Sequence, residues 1–245
     1  MCNRCGLEGT FPNAHIFFRK IYKGIPPLGN AGSVISMNWF SGWFPMDAKK
    51  GTTTVVLVCK NGVVLAADKQ ASAGSVIASR TTRKIFQIDD HMAVTIAGSL
   101  GDAQNLVSLL KAEIALRKMG EPHVSTKAVA SLTSRILHGN RGYPYITWLT
   151  LAGYDENPRA FSIGPFGGVN EDVYIAIGSG MQVVHGILED QFTKGLDLDE
   201  GINLAVRAIR SAQNRDLGTG GGIAVSVITP AGYKEFSEEE IQKRL

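Results

Sequence analysis

From residue 53 onward the chain is a succession of short apolar runs broken by turn residues. Residues 53–59 and 63–67 are apolar runs separated by Lys60-Asn61-Gly62, and an Asn-Gly pair in that setting predicts a β-hairpin. Residues 84–88 and 92–97 repeat the arrangement around Asp89-Asp90-His91. The period then changes. Over 99–118, Leu106, Leu109, Leu110, Ile114 and Leu116 recur at helical spacing ahead of Gly120, and over 125–138 Val129, Leu132 and Ile136 share one side. Strands return over 145–151, 160–163 and 173–177, with a turn at 155–158. Helices over 181–192 and 198–213 follow, then strands over 223–228 and 233–236 around Pro230-Ala231-Gly232. Ser237 with Glu240 forms a capping box that opens a short terminal helix. Helix pairs set between runs of antiparallel strands predict a layered α+β fold, with helices outside and two sheets packed face to face within.

Residues 1–51 show none of this periodicity. They hold seven glycines, four prolines and two of the three tryptophans, and read as an appendage to a domain spanning 52–245. The chain of 245 residues has a net charge of +3, but Arg4, Arg19, Lys20, Lys23, Lys49 and Lys50 face only Glu8 and Asp47 in this segment, so the remainder carries a net of −1. The basic excess therefore belongs to the appendage, and no nucleic-acid groove is expected in the body. Cys2-Asn3-Arg4-Cys5 spells C-x-x-C, yet a structural zinc needs four ligands and only His15 lies near, so no metal is expected. Three cysteines make no disulfide framework, which points to a reducing, cytoplasmic setting. No secretory signal is expected, and the uncharged stretch 24–46 is broken by Pro26, Pro27, Pro45 and four glycines, so no membrane span is expected either. The aromatic patch 37–44 is of the kind that packs onto a surface or fills a groove. A start at Met37 or Met46 would leave a shorter leader.

The candidate chemistry begins at Gly51-Thr52-Thr53-Thr54, at the head of the first apolar run. A threonine hydroxyl is a poor nucleophile alone, but cutting the Gly51-Thr52 bond would put a free amine beside it as a general base. An α-amino group titrates at about 7.7–8.0, close enough to neutrality for that task. The alternative is that the triplet merely opens a strand. Asp68 ends one predicted strand and Lys84 begins another, so both can meet at one sheet edge, either as a surface ion pair or as an aspartate that keeps a lysine protonated beside the nucleophile. Gly98 and the Gly178-Ser179-Gly180 turn each follow a strand and precede a helix, a junction that suits oxyanion-binding amides, or simply N-caps at Ser99 and Ser179. Asp216 precedes the loop Gly218-Thr219-Gly220-Gly221-Gly222, which lacks the lysine of a P-loop. Its carboxylate and hydroxyl could instead hold the terminal amine.

With GTTTVVLV, LAAD, RKIFQID, TIAGSLGDAQ, GSG and NRDLGTGGG in this order, the chain from Gly51 onward resembles archaeal-type 20S proteasome β subunits, which are N-terminal-threonine hydrolases. The resemblance implies a four-layer αββα sandwich (the N-terminal nucleophile hydrolase fold), self-cleavage at Gly51-Thr52, and heptameric β rings, of one or several kinds of β subunit, stacked on α rings. It likens Thr52 to the nucleophile, Asp68 and Lys84 to its charged partners, Gly98 to the oxyanion amide, and Ser179, Asp216 and Thr219 to the groups assisting the amine. A serine is usual at the position of Thr219. It also likens Ala71, Thr82, Ile96 and Leu100 to the pocket for the substrate side chain, here apolar and suited to cleavage after hydrophobic residues. No cofactor is implied, and the substrates would be unfolded proteins delivered by a regulatory ATPase. The competing readings are a structural ring subunit that retains its leader, and an amidase of a small metabolite.

Overall fold

The computed structural model describes residues 51–120 and 123–244; the leader up to Lys50, with its C-x-x-C and its aromatic patch, lies outside the described residues. Two five-stranded antiparallel sheets make up the centre. The first has the order β10-β1-β2-β11-β12, built from β1 (Thr53–Cys59), β2 (Gly62–Asp68), β10 (Tyr174–Gly178), β11 (Ile223–Thr229) and β12 (Gly232–Glu235). The second has the order β5-β6-β7-β8-β9, built from β5 (Ile85–Asp89), β6 (Met92–Gly98), β7 (Thr147–Tyr154), β8 (Pro158–Ile163) and β9 (Val169–Glu171).

Alternation along each strand explains why both sheet faces are apolar. Val55, Leu57 and Cys59 of β1 point under α3 (Met181–Gln191) and α4 (Leu198–Arg215), together with Val64 and Ala66 of β2. Their neighbours Val56, Val63, Leu65 and Ala67 turn to the other side, where they meet the second sheet. That sheet answers largely with alanines, Ala93, Ala97, Ala152 and Ala160, so large residues of one sheet interdigitate with small ones of the other. Its opposite face packs under α1 (Leu100–Lys118) and α2 (Thr126–Gly139). The result is four layers, helix, sheet, sheet, helix.

The elements match the pattern of apolar positions with a few shifts of physical interest. In the first hairpin Cys59 pairs with Gly62, so the two turn residues are Lys60 and Asn61, with Gly62 already in the strand. In α1 the inward residues are Ala103, Leu106, Val107, Leu110 and Ile114, whereas Leu109 and Leu116 point outward, because the stripe facing the sheet is centred on the 103–107–110–114 ridge. Ser99 occupies the N-cap position of α1 without a side-chain cap bond, and the N-cap of α3 is Gly180, not Ser179. Ser179 is committed elsewhere, as shown below. The strands β3 (Ala71–Ala73) and β4 (Val76–Ser79), and β9, are too short and too polar or small to carry an alternating signal. The Ser237–Glu240 capping box does open α5 (Glu238–Gln242). Among the described residues no helix is long and apolar enough to cross a membrane.

Leu65 has no exposed surface in the inter-sheet layer while Leu116 is 64% exposed. Leu65→Ala is expected to cost about 2–5 kcal/mol of unfolding free energy, and Leu116→Ala less than about 0.5 kcal/mol. Urea unfolding of the isolated subunit measures both, and equal losses would refute this assignment of faces.

Candidate active site

Five strand ends and one loop converge on a single edge of the sandwich. Thr53 at the start of β1 is in register with Gly178 at the end of β10, and Asp68 at the end of β2 with Ile223 at the start of β11. Lys84, just before β5, accepts a hydrogen bond at its carbonyl from Ile96 of β6. An antiparallel layout thus carries Asp68 and Lys84, 16 positions apart, to a 2.6 Å ion pair, with Asp68 fully buried and Lys84 4% exposed. This is no surface pair. Asp68 Oδ1 also accepts the Thr53 N–H at 2.8 Å, and Oδ2 accepts the N–H groups of Gln70 at 3.1 Å and Gly220 at 3.0 Å.

Burial pulls the Lys84 ammonium below the ordinary lysine value of 10.5, and the charge and hydrogen bond of Asp68, with a smaller pull from Asp216, oppose it without cancelling it. Asp68 therefore does favour the charged lysine, as expected, but desolvation outweighs it. Because the folded state penalises the protonated form, the contribution of Lys84 to stability grows as pH rises from its lowered midpoint towards 10.5.

A second carboxylate organises the other side. Asp216 caps the C-terminal end of α4, and its Oδ2 lies 2.5 Å from both Ser179 Oγ and Thr219 Oγ1. A carboxylate only accepts, so each hydroxyl spends its single proton there. Ser179 Oγ is then free to accept the Thr52 N–H at 3.3 Å, while the Ser179 N–H holds the Thr52 carbonyl at 2.7 Å. Thr219 Oγ1, in turn, accepts from Thr53 Oγ1 at 2.6 Å.

Thr52 sits between the two clusters and is 6% exposed. Its Oγ1 donates to the carbonyl oxygen of Gly51 at 2.7 Å, so the hydroxyl lies against the bond that precedes it. Gly51 passes so close to Gly218 that a Cβ on either would come within 2.4 Å of the other's backbone. Only glycine fits at this crossing. Gly98 ends β6 at φ +124°, and a Cβ there would lie 2.4 Å from the Ile146 carbonyl oxygen, so glycine is required on both counts.

Of the four pocket positions, Ala71 opens β3 and Thr82, half-buried, donates its N–H to the Lys69 carbonyl at 2.8 Å. Ile96 is 4% exposed within the helix-side core of the second sheet, and Leu100 begins α1 at 37% exposure. Ala71 and Thr82 thus lie in the β2–β5 connection, whereas Ile96 lies within β6 and Leu100 at the start of α1. Cys59, the one described cysteine, is no rival nucleophile, because burial, aided by Asp197, pushes its thiol up to about 12. Among the described residues no group of His, Cys, Asp or Glu is arranged to hold a metal ion. Sequence reasoning overlooked Thr53, whose only signal was its place in a run of three hydroxyl residues.

Two antiparallel sheets packed between helix pairs, with a threonine at the head of a central strand and the Lys84–Asp68 pair beneath it, define an N-terminal nucleophile hydrolase sandwich. The family model "Proteasome subunit" matches residues 48–228. The chain is 50% identical over 197 residues to proteasome subunit beta 1 of Thermococcus kodakarensis, a match covering 80% of this chain and 97% of that protein. It is 48% identical over 198 residues to proteasome subunit beta 2 of Pyrococcus furiosus (80% and 96% covered) and 47% identical over 204 residues to proteasome subunit beta of Methanocaldococcus fervens (82% and 91% covered). The chain belongs to the proteasome subunit family, as a β subunit of the archaeal 20S type.

The balance of forces on Lys84 is directly measurable. Following the Lys84 Nζ resonance through a pH titration of the subunit should give a midpoint below 10.5, and Asp68→Asn should lower it further, since it removes the charge that holds the proton on. A higher midpoint in Asp68→Asn would overturn this account.

Proposed function

We propose that this β subunit is a catalytic threonine endopeptidase that exposes its own nucleophile by cutting the Gly51–Thr52 bond. The observation that carries this reading is the setting of Thr52: its hydroxyl is 2.7 Å from the Gly51 carbonyl oxygen, and its nitrogen, the future amine, is already 3.3 Å from Ser179 Oγ. In the first reaction Thr52 Oγ adds to the Gly51 carbonyl carbon and passes its proton to the Thr52 nitrogen as the C–N bond breaks. An ester joins Gly51 to Thr52 Oγ, and water hydrolyses it to a Gly51 carboxylate and a free Thr52. Residues 1–51 leave as a processed leader.

In peptide hydrolysis the Thr52 amine takes the proton from Oγ as Oγ attacks the substrate carbonyl. Lys84, held by Asp68, stabilises the negative charge that develops on Oγ, and the Gly98 N–H binds the oxyanion. The amine then protonates the leaving nitrogen, and water releases the acyl-enzyme. Ser179, Thr219 and Asp216 hold the amine through hydrogen bonds, and threonine at 219 keeps the hydroxyl that this requires. Ala71, Thr82, Ile96 and Leu100 form a pocket favouring hydrophobic side chains. The subunit works in the cytoplasm within β rings stacked on α rings, on unfolded proteins fed by a regulatory ATPase. Proteasome β subunits are generally threonine peptidases, and the intact constellation of Thr52, Asp68, Lys84 and Asp216 supports that role here over a structural one.

After co-assembly with α subunits, intact mass is expected to show loss of residues 1–51, with degradation of unfolded casein. Thr52→Ala is expected to keep its full mass and to abolish casein degradation. Full-length mass in assembled wild-type particles would make the subunit structural, and casein turnover by Thr52→Ala would remove Thr52 as nucleophile.

A further inference from the structure

Thr53 reaches both acids of the site. Its N–H donates to Asp68 Oδ1 at 2.8 Å, and its hydroxyl, fully buried, lies 2.6 Å from Thr219 Oγ1. The direction of that second bond is fixed by counting protons. Thr219 gives its proton to Asp216, so Thr53 must donate to Thr219, and the Thr53 oxygen in turn accepts the Gly180 N–H at 3.1 Å. The chain of donors therefore runs from Gly180 N–H through Thr53 and Thr219 into Asp216 Oδ2, where Ser179 enters from the other side carrying the Thr52 nitrogen. The fit is tight: a Cβ at Gly180 would lie 2.2 Å from Thr53 Oγ1. The turn before α3 has no room for a side chain because that hydroxyl fills the space.

The cluster on Thr52's nitrogen and the Lys84–Asp68 pair are joined by the 216–220 loop, whose Gly220 N–H reaches Asp68, and by Thr53, which is bonded into both. We propose that the Thr53 hydroxyl is a positioning group for catalysis, setting the Asp216–Ser179–Thr219 cluster in register with the Asp68–Lys84 pair so that the Thr52 amine faces its own Oγ. A chain of hydrogen bonds ending on a carboxylate polarises along its length, so losing one link loosens the rest. Thr53 has no exposed surface, which keeps its hydroxyl out of a substrate's reach. Its loss should appear in turnover and not in substrate binding.

The proposal rests on Thr52 being the nucleophile, and the measurements keep the two apart. Assembled particles of wild type, Thr53→Val, Thr53→Ser and Thr52→Ala are compared on a fluorogenic peptide with a hydrophobic residue before the scissile bond, and kcat is normalised to processed Thr52 termini counted by intact mass. Thr53→Val keeps the shape but leaves the Gly180 N–H without an acceptor and Thr219 without a donor. It is expected to lower kcat about tenfold, in line with one lost link in a buried network, with KM unchanged. Thr53→Ser, which restores the hydroxyl, is expected to return kcat to within about twofold of wild type. Wild-type kcat in Thr53→Val overturns the proposal, as does a Thr53→Ser particle as slow as Thr53→Val, which would assign the effect to packing. If Thr53→Val does not assemble, Thr53→Cys, similar in size and a poor donor, carries the same comparison. An active Thr52→Ala particle defeats the underlying reading instead, whatever Thr53 does.

Discussion

The edge of the sandwich is built around one buried carboxylate. Asp68 has no exposed surface, and a carboxylate taken out of water is tolerated only when a countercharge is close and its lone pairs are filled. Four donors meet that demand: Lys84 Nζ and the N–H groups of Thr53, Gln70 and Gly220. They arrive from the entry to β5, the start of β1, the residues after β2, and the glycine-rich loop after α4. Satisfying one acid therefore fixes the ends of several elements, and the same bonds leave a lysine charge directly beneath the first residues of β1.

The second acid works differently. Asp216 accepts from two hydroxyls and the Gly218 N–H and pairs with no cation among the described residues, so its cluster is a set of directional bonds that specify where Ser179 and Thr219 stand. Between the two acids the uncut chain folds over its own threonine, and the crossing of Gly51 with Gly218 permits this only because neither carries a side chain. Under the proposed chemistry the groups that act on a substrate act first on the chain's own peptide bond, which needs no separate apparatus.

The layers around the site share the labour unevenly. The inter-sheet core, with large residues of the first sheet against alanines of the second, sets how closely the sheets approach, and hence whether Lys84 of one reaches Asp68 of the other. The helix layers cover the outer faces and carry two site segments: the turn before α3 supplies Ser179, and the end of α4 supplies Asp216.

The order of elements was legible in the chain because each apolar run has a period of its own, and in a protein with both sheet faces covered that period reports burial directly. The threonine after Gly51, the two acids, the lysine and the glycine turns could be named from residue type and from their places at predicted strand ends, although what each does depends on its neighbours. Leu109 and Leu116 recur at helical spacing with Leu106, Leu110 and Ile114 yet point outward, because spacing alone does not fix which ridge meets the sheet; contact with β5 and β6 does. The role of Thr53 was invisible in the chain, since its partners lie 15 and 166 residues away and a hydroxyl in a strand is commonplace. Residue types and periods thus determined the layers and the reagents, whereas the partner of each hydrogen bond was decided only when antiparallel pairing brought distant strand ends to one edge.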